Sequence, residues 1–94
     1  MPLIKVKMSG NTKWRAGIVE DHNHNIIPLD LTQGEDAVDV ASGGLAWLSL
    51  YFWGDPGAPV NAEVLKGEKS LVKRSYKIDP DGSAARTLQF DPDA

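Results

Sequence analysis

The sequence predicts an antiparallel all-β domain: a β-sandwich of seven or eight short strands, immunoglobulin-like or jelly-roll-like, with a small, partly open barrel as the alternative. Apolar and polar residues alternate in one segment after another, which is the pattern of strands with one buried side. Clusters of Gly, Pro, Asn and Asp separate these segments at intervals of about ten residues. Because no segment is long enough for a crossover helix, we expect neighbouring strands to be antiparallel.

The length of the chain favours a single domain covering residues 1–94. A second core would have to be built from fewer than about 50 residues, which is rarely enough without disulfides or metals. The chain contains no cysteine, so disulfides and thiolate metal sites are excluded. Residues 91–94 offer nothing to pack, and we expect this tail to fray.

Charge and hydropathy argue against two classes of partner. A net charge of -3 and a pI near 5.2 give no general attraction to phosphate backbones, so we expect no nucleic-acid partner. The longest nearly apolar run, residues 45–53, is far shorter than a transmembrane helix. The amino-terminal sequence MPLIKVKMSG lacks the apolar stretch of a signal peptide, so a soluble protein in the cytoplasm is the default expectation.

The first half of the chain contains three predicted strands. Residues 4–8 alternate, and residues 13–20 place Trp14, Ala16 and Ile18 on one side. The turn-forming residues 9–12 between the two segments predict a hairpin. Residues 26–31 form a third strand, and Pro28 places this strand at a sheet edge or a bulge. The polar residues between the second and third strands are expected to form a loop.

The second half contains the remaining predicted strands. Residues 35–41 fit a strand better than the short helix that is their alternative. Residues 45–53 are rich in β-favouring aromatic residues and should lie centrally in a sheet. Residues 59–66 and 70–78 predict a hairpin, and residues 84–90 form the last strand.

The predicted central strand carries large apolar side chains on both of its sides. One side presents leucines and a phenylalanine, and the other presents an aromatic row about 20 Å long. Three residues make up this row: Trp47, Tyr51 and Trp53. The row can be covered within the chain, by a second copy in a homo-oligomer, or by a ligand, for which carbohydrate is the first candidate.

We interpret the chain as a non-enzymatic binding or interaction module, since it contains no catalytic motif. It would use the aromatic row to associate with itself, to dock another protein or, as a lectin-like domain, to bind a carbohydrate. Three loop residues are candidates to bond the sugar hydroxyls: Asn23, Asn25 and Asp55. An alternative is a membrane-surface protein in which residues 51–54 form a loop that inserts aromatic rings at the headgroup level.

A small metal-binding protein is the other alternative. His22 and His24 would point to the same side of an extended backbone, and Asp21 could act as a third ligand for zinc. A solvated loop explains the same residues. Carboxylates recur at the predicted strand ends and could converge on calcium, although Asp before Pro or Gly is also ordinary turn chemistry.

Charges of opposite sign concentrate in different parts of the chain. One stretch contains the acidic residues Asp30, Glu35, Asp36 and Asp39. The last two predicted strands contain the basic residues Lys73, Arg74, Lys77 and Arg86. Together they predict a surface of uneven charge, for which cross-strand pairing and solubility are the simpler explanations.

Overall fold

The computed structural model describes residues 2–94, which form eight strands and no helix. Each strand pair within the sheets is antiparallel. The strands are β1 (Leu3–Gly10), β2 (Lys13–Glu20), β3 (Asn25–Pro28), β4 (Glu35–Asp39), β5 (Ala46–Trp53), β6 (Pro59–Lys66), β7 (Lys69–Lys77) and β8 (Ser83–Phe90).

The strands form two four-stranded sheets, which we call sheet A and sheet B. Sheet A has the order β4-β1-β6-β7, and sheet B has the order β3-β2-β5-β8. Four connections cross from one sheet to the other, and each joins two strands that occupy the same place in their respective sheets. These connections are β1–β2, β3–β4, β5–β6 and β7–β8. The sheets do not close into a barrel, so the predicted β-sandwich is confirmed and the barrel alternative is not.

The core lies between the sheets and follows from the alternation of the sequence. On β1, Ile4 and Val6 are fully buried while the lysines between and after them are exposed. On β5, Leu48 and Phe52 are fully buried, and the residues between the buried positions point outward. Each sheet therefore buries one side and leaves the other open, as expected for a sandwich of antiparallel sheets.

The predicted hairpin between the first two strands is wrong. The strand β1 pairs with β4 and β6 in sheet A, whereas β2 belongs to sheet B. Alternation shows which side of a strand is buried but not which sheet holds the strand. Gly10 meets a different need, because a Cβ atom there would lie 2.6 Å from the Pro59 carbonyl oxygen and its φ is 137°. The glycine lets β1 run close beside the start of β6.

The other predicted strands are present, but two of them are clearly shorter than predicted: the strand predicted at residues 26–31 ends at Pro28, and the one predicted at residues 35–41 ends at Asp39. Residues 35–39 form the strand β4, β3 lies at an edge of sheet B, and β5 lies between β2 and β8. The hairpin of β6 and β7 turns at Gly67 and Glu68, with Lys66 opposite Lys69. A bulge in this hairpin between Val64 and Leu65 was not predicted.

The carboxyl-terminal tail packs against the domain, contrary to the expectation that it has nothing to pack. Pro92 is fully buried. The Asp93 carboxylate accepts a hydrogen bond of 2.8 Å from the Gly43 backbone N–H, and this bond lowers the pKa of Asp93. The contacts anchor the tail to the loop between β4 and β5.

One buried carboxylate forms hydrogen bonds to the loop between β4 and β5, to the turn between β2 and β3 and to the start of β3. Glu20, at the end of β2, is only 2% exposed. Its carboxylate accepts hydrogen bonds from the Ala41 backbone N–H, from Asn25 Nδ2 at 2.9 Å and from Asn23 Nδ2 at 3.3 Å. The bond from Ala41 is the main cause that lowers the pKa of Glu20, against the opposing effect of burial. The ionised form is therefore the one that holds the loops in place.

We expect Glu20→Gln to lower the free energy of unfolding at pH 7 by about 1–3 kcal/mol, because an ionised acceptor of several hydrogen bonds is lost. The pKa of Glu20 is lower in the folded than in the unfolded state, where it is about 4.3. Its stabilisation is therefore complete above that value and disappears as the pH falls through the folded pKa. Thermal unfolding of both proteins across this range measures the difference.

The difference between the two proteins should shrink as the pH falls below the unfolded pKa and vanish once the pH lies below the lowered pKa of folded Glu20, where the wild-type side chain is also neutral. Glu68→Gln is the control, because Glu68 is exposed in the turn between β6 and β7. Equal melting temperatures for wild type and Glu20→Gln at pH 7 would contradict the role given to this carboxylate.

Candidate functional site

The outer faces of the two sheets differ in chemistry. On sheet A, one cross-strand row reads Glu35, Lys7, Glu63, Lys73, so that charges of opposite sign alternate across all four strands. The outer face of sheet B instead carries the aromatic side chains of β5. Aromatic surface that no other part of the chain covers usually serves binding, and this face is the candidate site.

We call the outward side of sheet B the aromatic face. Its β5 members are Trp47, Tyr51 and Trp53, and Tyr51 is 48% exposed. Val19 of β2 lies opposite both Trp47 and Ile26, and Ile26 is 69% exposed. Tyr51 and Ile26 are therefore open to solvent in the isolated chain, whereas Trp47 and Trp53 are half-buried. The explanation that the row is covered from within does not hold for Tyr51.

A row of small residues divides the aromatic face into two ends. Gly17 lies opposite Ser49 and Pro28, and Thr87 lies on the far side of Ser49. A Cβ atom at Gly17 would lie 3.3 Å from the Ile27 carbonyl oxygen, so a larger residue would crowd β3. The rings of Trp47 and Tyr51 stand on either side of this low central row.

A cleft of about 500 Å³ opens at the end of the aromatic face that holds Tyr51 and Trp53. The two rings lie with their centroids 5.4 Å apart and their planes tilted by 39°. Three polar residues line the cleft beside them, and these are Arg15, Asp81 and Ser83. It is an open, shallow depression on the outer face of sheet B, and we call this feature the aromatic cleft.

Register and turn chemistry place the polar residues of the aromatic cleft. Arg15 lies directly opposite Tyr51 on β2, and Ser83 lies opposite Trp53 on β8. Asp81 is fixed in the preceding turn, where its Oδ1 accepts a 3.1 Å hydrogen bond from the Ser83 backbone N–H. The second carboxylate oxygen has no hydrogen bond to the described residues, so it can accept one from a ligand.

The structure separates the loop residues that were predicted to bond a sugar. Asp55 borders a second shallow cleft beside Trp53. Asn25 lies opposite Glu20, at the far end of β2 from Lys13, which is the partner of Trp53. That separation is about 23 Å along the strand. The amides of Asn23 and Asn25 bond Glu20, and the structure does not bring them together with Trp53.

Sequence reasoning missed Arg15, Asp81 and Ser83. The nearest of them to Tyr51 in the sequence is 30 or more positions away, and the three come together only because β2 and β8 flank β5. No local motif marks them. The register of β2 on β5 is the information that would have found Arg15, and this register depends on packing between distant strands that no local pattern reveals.

The histidine loop lies away from the aromatic cleft. Asp21, His22 and His24 are all exposed in the turn between β2 and β3, where His24 has a φ of 56°. The His22 ring packs on Gly44, where a Cβ atom would lie 2.6 Å from Nδ1. Within residues 2–94, no three or more His, Cys, Asp or Glu side chains come together in a group that could hold a metal ion.

The aromatic segment proposed to enter a membrane surface is not a loop. Residues 51–53 belong to β5, and Phe52 is fully buried in the core. Only Tyr51 and Trp53 face outward from this segment. Among the residues that the structure describes, no helix is long and apolar enough to cross a membrane.

Comparison with models of known protein families gives no match, and searches of curated proteins and of solved structures likewise find no similar protein. The function therefore has to be argued from the aromatic face and the aromatic cleft themselves.

Truncation of two adjacent residues of β5 should lower stability by very different amounts. Leu50 is 2% exposed, so Leu50→Ala is expected to lower the free energy of unfolding by about 2–5 kcal/mol through the cavity that it leaves. Tyr51→Ala removes an outward side chain and should cost less than about 1 kcal/mol. Denaturant unfolding of the two variants measures both values. Comparable losses would show that the aromatic face is packed as a second core.

Proposed function

We propose that the protein is a non-enzymatic binding module that holds a saccharide in the aromatic cleft. The observation that carries the proposal is the solvent-accessible pair of rings, Tyr51 and Trp53, beside the polar groups of Arg15, Asp81 and Ser83. These five side chains come from β2, β5, β8 and the turn before β8. The rigid strands hold most of them in place before a ligand arrives.

The chemistry of the aromatic cleft matches that of a sugar ring. A pyranose has C–H groups that pack on an aromatic face, and its rim carries hydroxyl groups that both donate and accept hydrogen bonds. Arg15 donates, Asp81 accepts, and the Ser83 hydroxyl does both. One positive and one negative side chain line the cleft, so a neutral sugar meets no net charge.

Binding fits the aromatic cleft better than hydrolysis does. Glycoside hydrolysis ordinarily uses two carboxyl groups on either side of the scissile bond. Among the described residues that line the aromatic cleft, Asp81 is the single carboxylate. The site therefore supplies recognition groups without the second acid or base that the reaction needs.

Self-association is a second candidate function, and the other end of the aromatic face favours it. Ile26 is 69% exposed and shares this end with Val19 and Trp47, so a second copy could cover an apolar patch here. Sedimentation velocity of wild type and Ile26→Ser separates this function from sugar binding, because Ile26 does not line the aromatic cleft.

A glycan array followed by an NMR titration with the bound glycan tests the proposal. We expect Trp53→Ala to weaken the binding by roughly tenfold, because about 1–1.5 kcal/mol of ring stacking is lost. Asp81→Asn keeps the size of the side chain and should weaken glycan binding less than Trp53→Ala does. Chemical shifts should change in Ser83 and the neighbouring part of β8 and remain constant in β1.

Leu3→Ala is the matched control, because Leu3 is an apolar residue, 58% exposed, on the outer face of sheet A. It should bind the glycan as wild type does. The proposal fails if the array shows no ligand, or if Trp53→Ala folds normally and binds with unchanged affinity. Binding of the protein to liposomes that depends on Tyr51 and Trp53 would instead support a role at membrane surfaces.

A further inference from the structure

We propose that copies of this chain associate head to tail through opposite edges of sheet A, with β7 of one copy pairing with β4 of the next. The partner in this inference is a second copy of the same protein. The inference is independent of sugar binding, because neither strand contributes to the aromatic face. It rests on charge, strand direction and the backbone groups that the two edges leave free.

The two edge strands of sheet A carry opposite charges. The acidic edge is the five-residue strand β4, and the basic edge is the nine-residue strand β7. The charged residues are Glu35, Asp36 and Asp39 on β4, and Lys69, Lys73, Arg74 and Lys77 on β7. Pairing two copies through identical edges would bring like charges together, whereas pairing unlike edges brings opposite charges together.

The strand order of sheet A permits the sheet to continue from one copy into the next. Its four strands alternate in direction, so a second copy of β4 placed beside β7 in the same orientation is antiparallel to it. The outer row that runs from Glu35 to Lys73 also alternates in charge and ends with opposite signs at the two edges. A second copy added beside β7 therefore continues both the antiparallel order of the strands and the alternation of charge along the outer row.

The free backbone groups at the two edges belong to the residues whose side chains point outward. At the end of β4 the Val40 N–H bonds the Pro2 carbonyl at 2.9 Å. Hydrogen-bonded residue pairs occur at every second position along antiparallel strands, so the backbone N–H and C=O groups of Asp36 and Val38 also face β1. The backbone groups of Glu35, Ala37 and Asp39 are left at the edge.

The backbone groups of β7 also alternate between its partner strand and the free edge. The Ile78 N–H donates a bond to the Ala58 carbonyl at 3.1 Å, so the backbone N–H and C=O groups of Tyr76 and Arg74 face β6. The backbone groups left at this edge are those of Lys73, Ser75 and Lys77. Both edges thus present their free groups at alternate residues, which an antiparallel ladder requires.

One register satisfies charge and hydrogen bonding together. It places Glu35 of one copy opposite Lys77 of the other, which brings Asp39 opposite Lys73 and Ala37 opposite Ser75. Each of these three pairs joins two residues with free backbone groups, and two of the three join opposite charges. The five residues of β4 then use only residues 73–77 of β7, which lie beyond the bulge near Leu65.

In the isolated chain, side chains cap part of each edge. Asp36 Oδ1 accepts a 2.8 Å bond from the Ala37 N–H, and Arg74 Nη1 donates a 2.8 Å bond to the Lys73 carbonyl. In the proposed register Asp36 lies opposite Tyr76, two residues from Arg74. Asp36 Oδ2 also accepts a 2.9 Å bond from the Asp30 backbone N–H, so pairing releases only Oδ1 of this carboxylate. Asp36 Oδ1 and the Arg74 guanidinium are diagonal neighbours in this register and can bond each other.

Edge charges also oppose uncontrolled pairing, so we expect the association to be weak and sensitive to salt. The contact is heterologous, which means that it continues from copy to copy instead of closing at a dimer. Each copy leaves its aromatic face free, and the twist of the continuous sheet rotates successive aromatic faces about the axis of the assembly. If the proposed sugar binding holds, such a chain of copies would bind a polysaccharide through several sites at once.

Sedimentation velocity of the intact protein over a wide concentration range tests the inference. At low ionic strength we expect the average mass to rise with concentration, and we expect the association constant to fall about tenfold or more in high salt. Lys77→Glu breaks the basic edge and Asp39→Lys breaks the acidic edge. Within the chain these positions lie opposite Pro59 and Leu3, so neither change creates a like-charge pair across the strands.

Each variant alone should remain monomeric, and an equimolar mixture should form a dimer that grows no further. In the mixture, Lys77→Glu supplies an intact acidic edge and Asp39→Lys supplies an intact basic edge. These two edges can pair only in a head-to-tail contact. Lys5→Glu is the matched control, because it makes the same charge change on the interior strand β1, opposite Ala37 and Leu65. It should associate as wild type does, and circular dichroism checks that all variants fold.

A wild-type protein that remains monomeric at low salt and high concentration would overturn the inference, and the edge charges would then act only to prevent pairing. It would equally be overturned if both edge variants associate as wild type does, or if their mixture forms no dimer. Loss of association in Lys5→Glu would assign the effect to net charge instead. Glycan binding to monomeric Lys77→Glu tests the sugar site separately.

Discussion

The fold depends on burial of one side of every strand between the two sheets. On β5, the fully buried Leu48 and Phe52 alternate with the outward Trp47 and Tyr51, and sheet A supplies the opposing layer with residues such as Val6. Because the chain has no cysteine, this packing and the backbone hydrogen bonds of the sheets are its main source of stability. A shift of one residue in any strand would exchange its buried and exposed sides.

A core that uses one side of each sheet leaves the two outer faces free to differ. Sheet A presents a row of alternating charges, which water solvates well, while sheet B presents Tyr51 and Ile26 to solvent. Neither of these last two side chains is needed for the core. Their exposure costs solubility without stabilising the isolated chain, and this contrast is the physical reason to look for function on the aromatic face.

Much of the fold could be predicted from the sequence because alternation and turn residues are local signals. They indicated the strands, the edge position of β3, the central position of β5 and the β6–β7 hairpin. The assignment of β1 and β2 to different sheets depends on long-range packing, as does burial of Pro92 in the carboxyl-terminal tail. The aromatic row could be predicted, but its polar neighbours could not, since the register of three strands brings Arg15 and Ser83 beside it.

The proposed sugar site and the proposed assembly contact lie on different parts of the molecule. Residues of the aromatic cleft lie on the face of sheet B, whereas the free backbone groups of β4 and β7 lie in the plane of sheet A. A contact in the plane of a sheet does not cover the face of the other sheet. Assembly through the edges would therefore leave the affinity of a single aromatic cleft unchanged and alter only how many clefts one long ligand can reach, so the two properties can be changed independently by mutation.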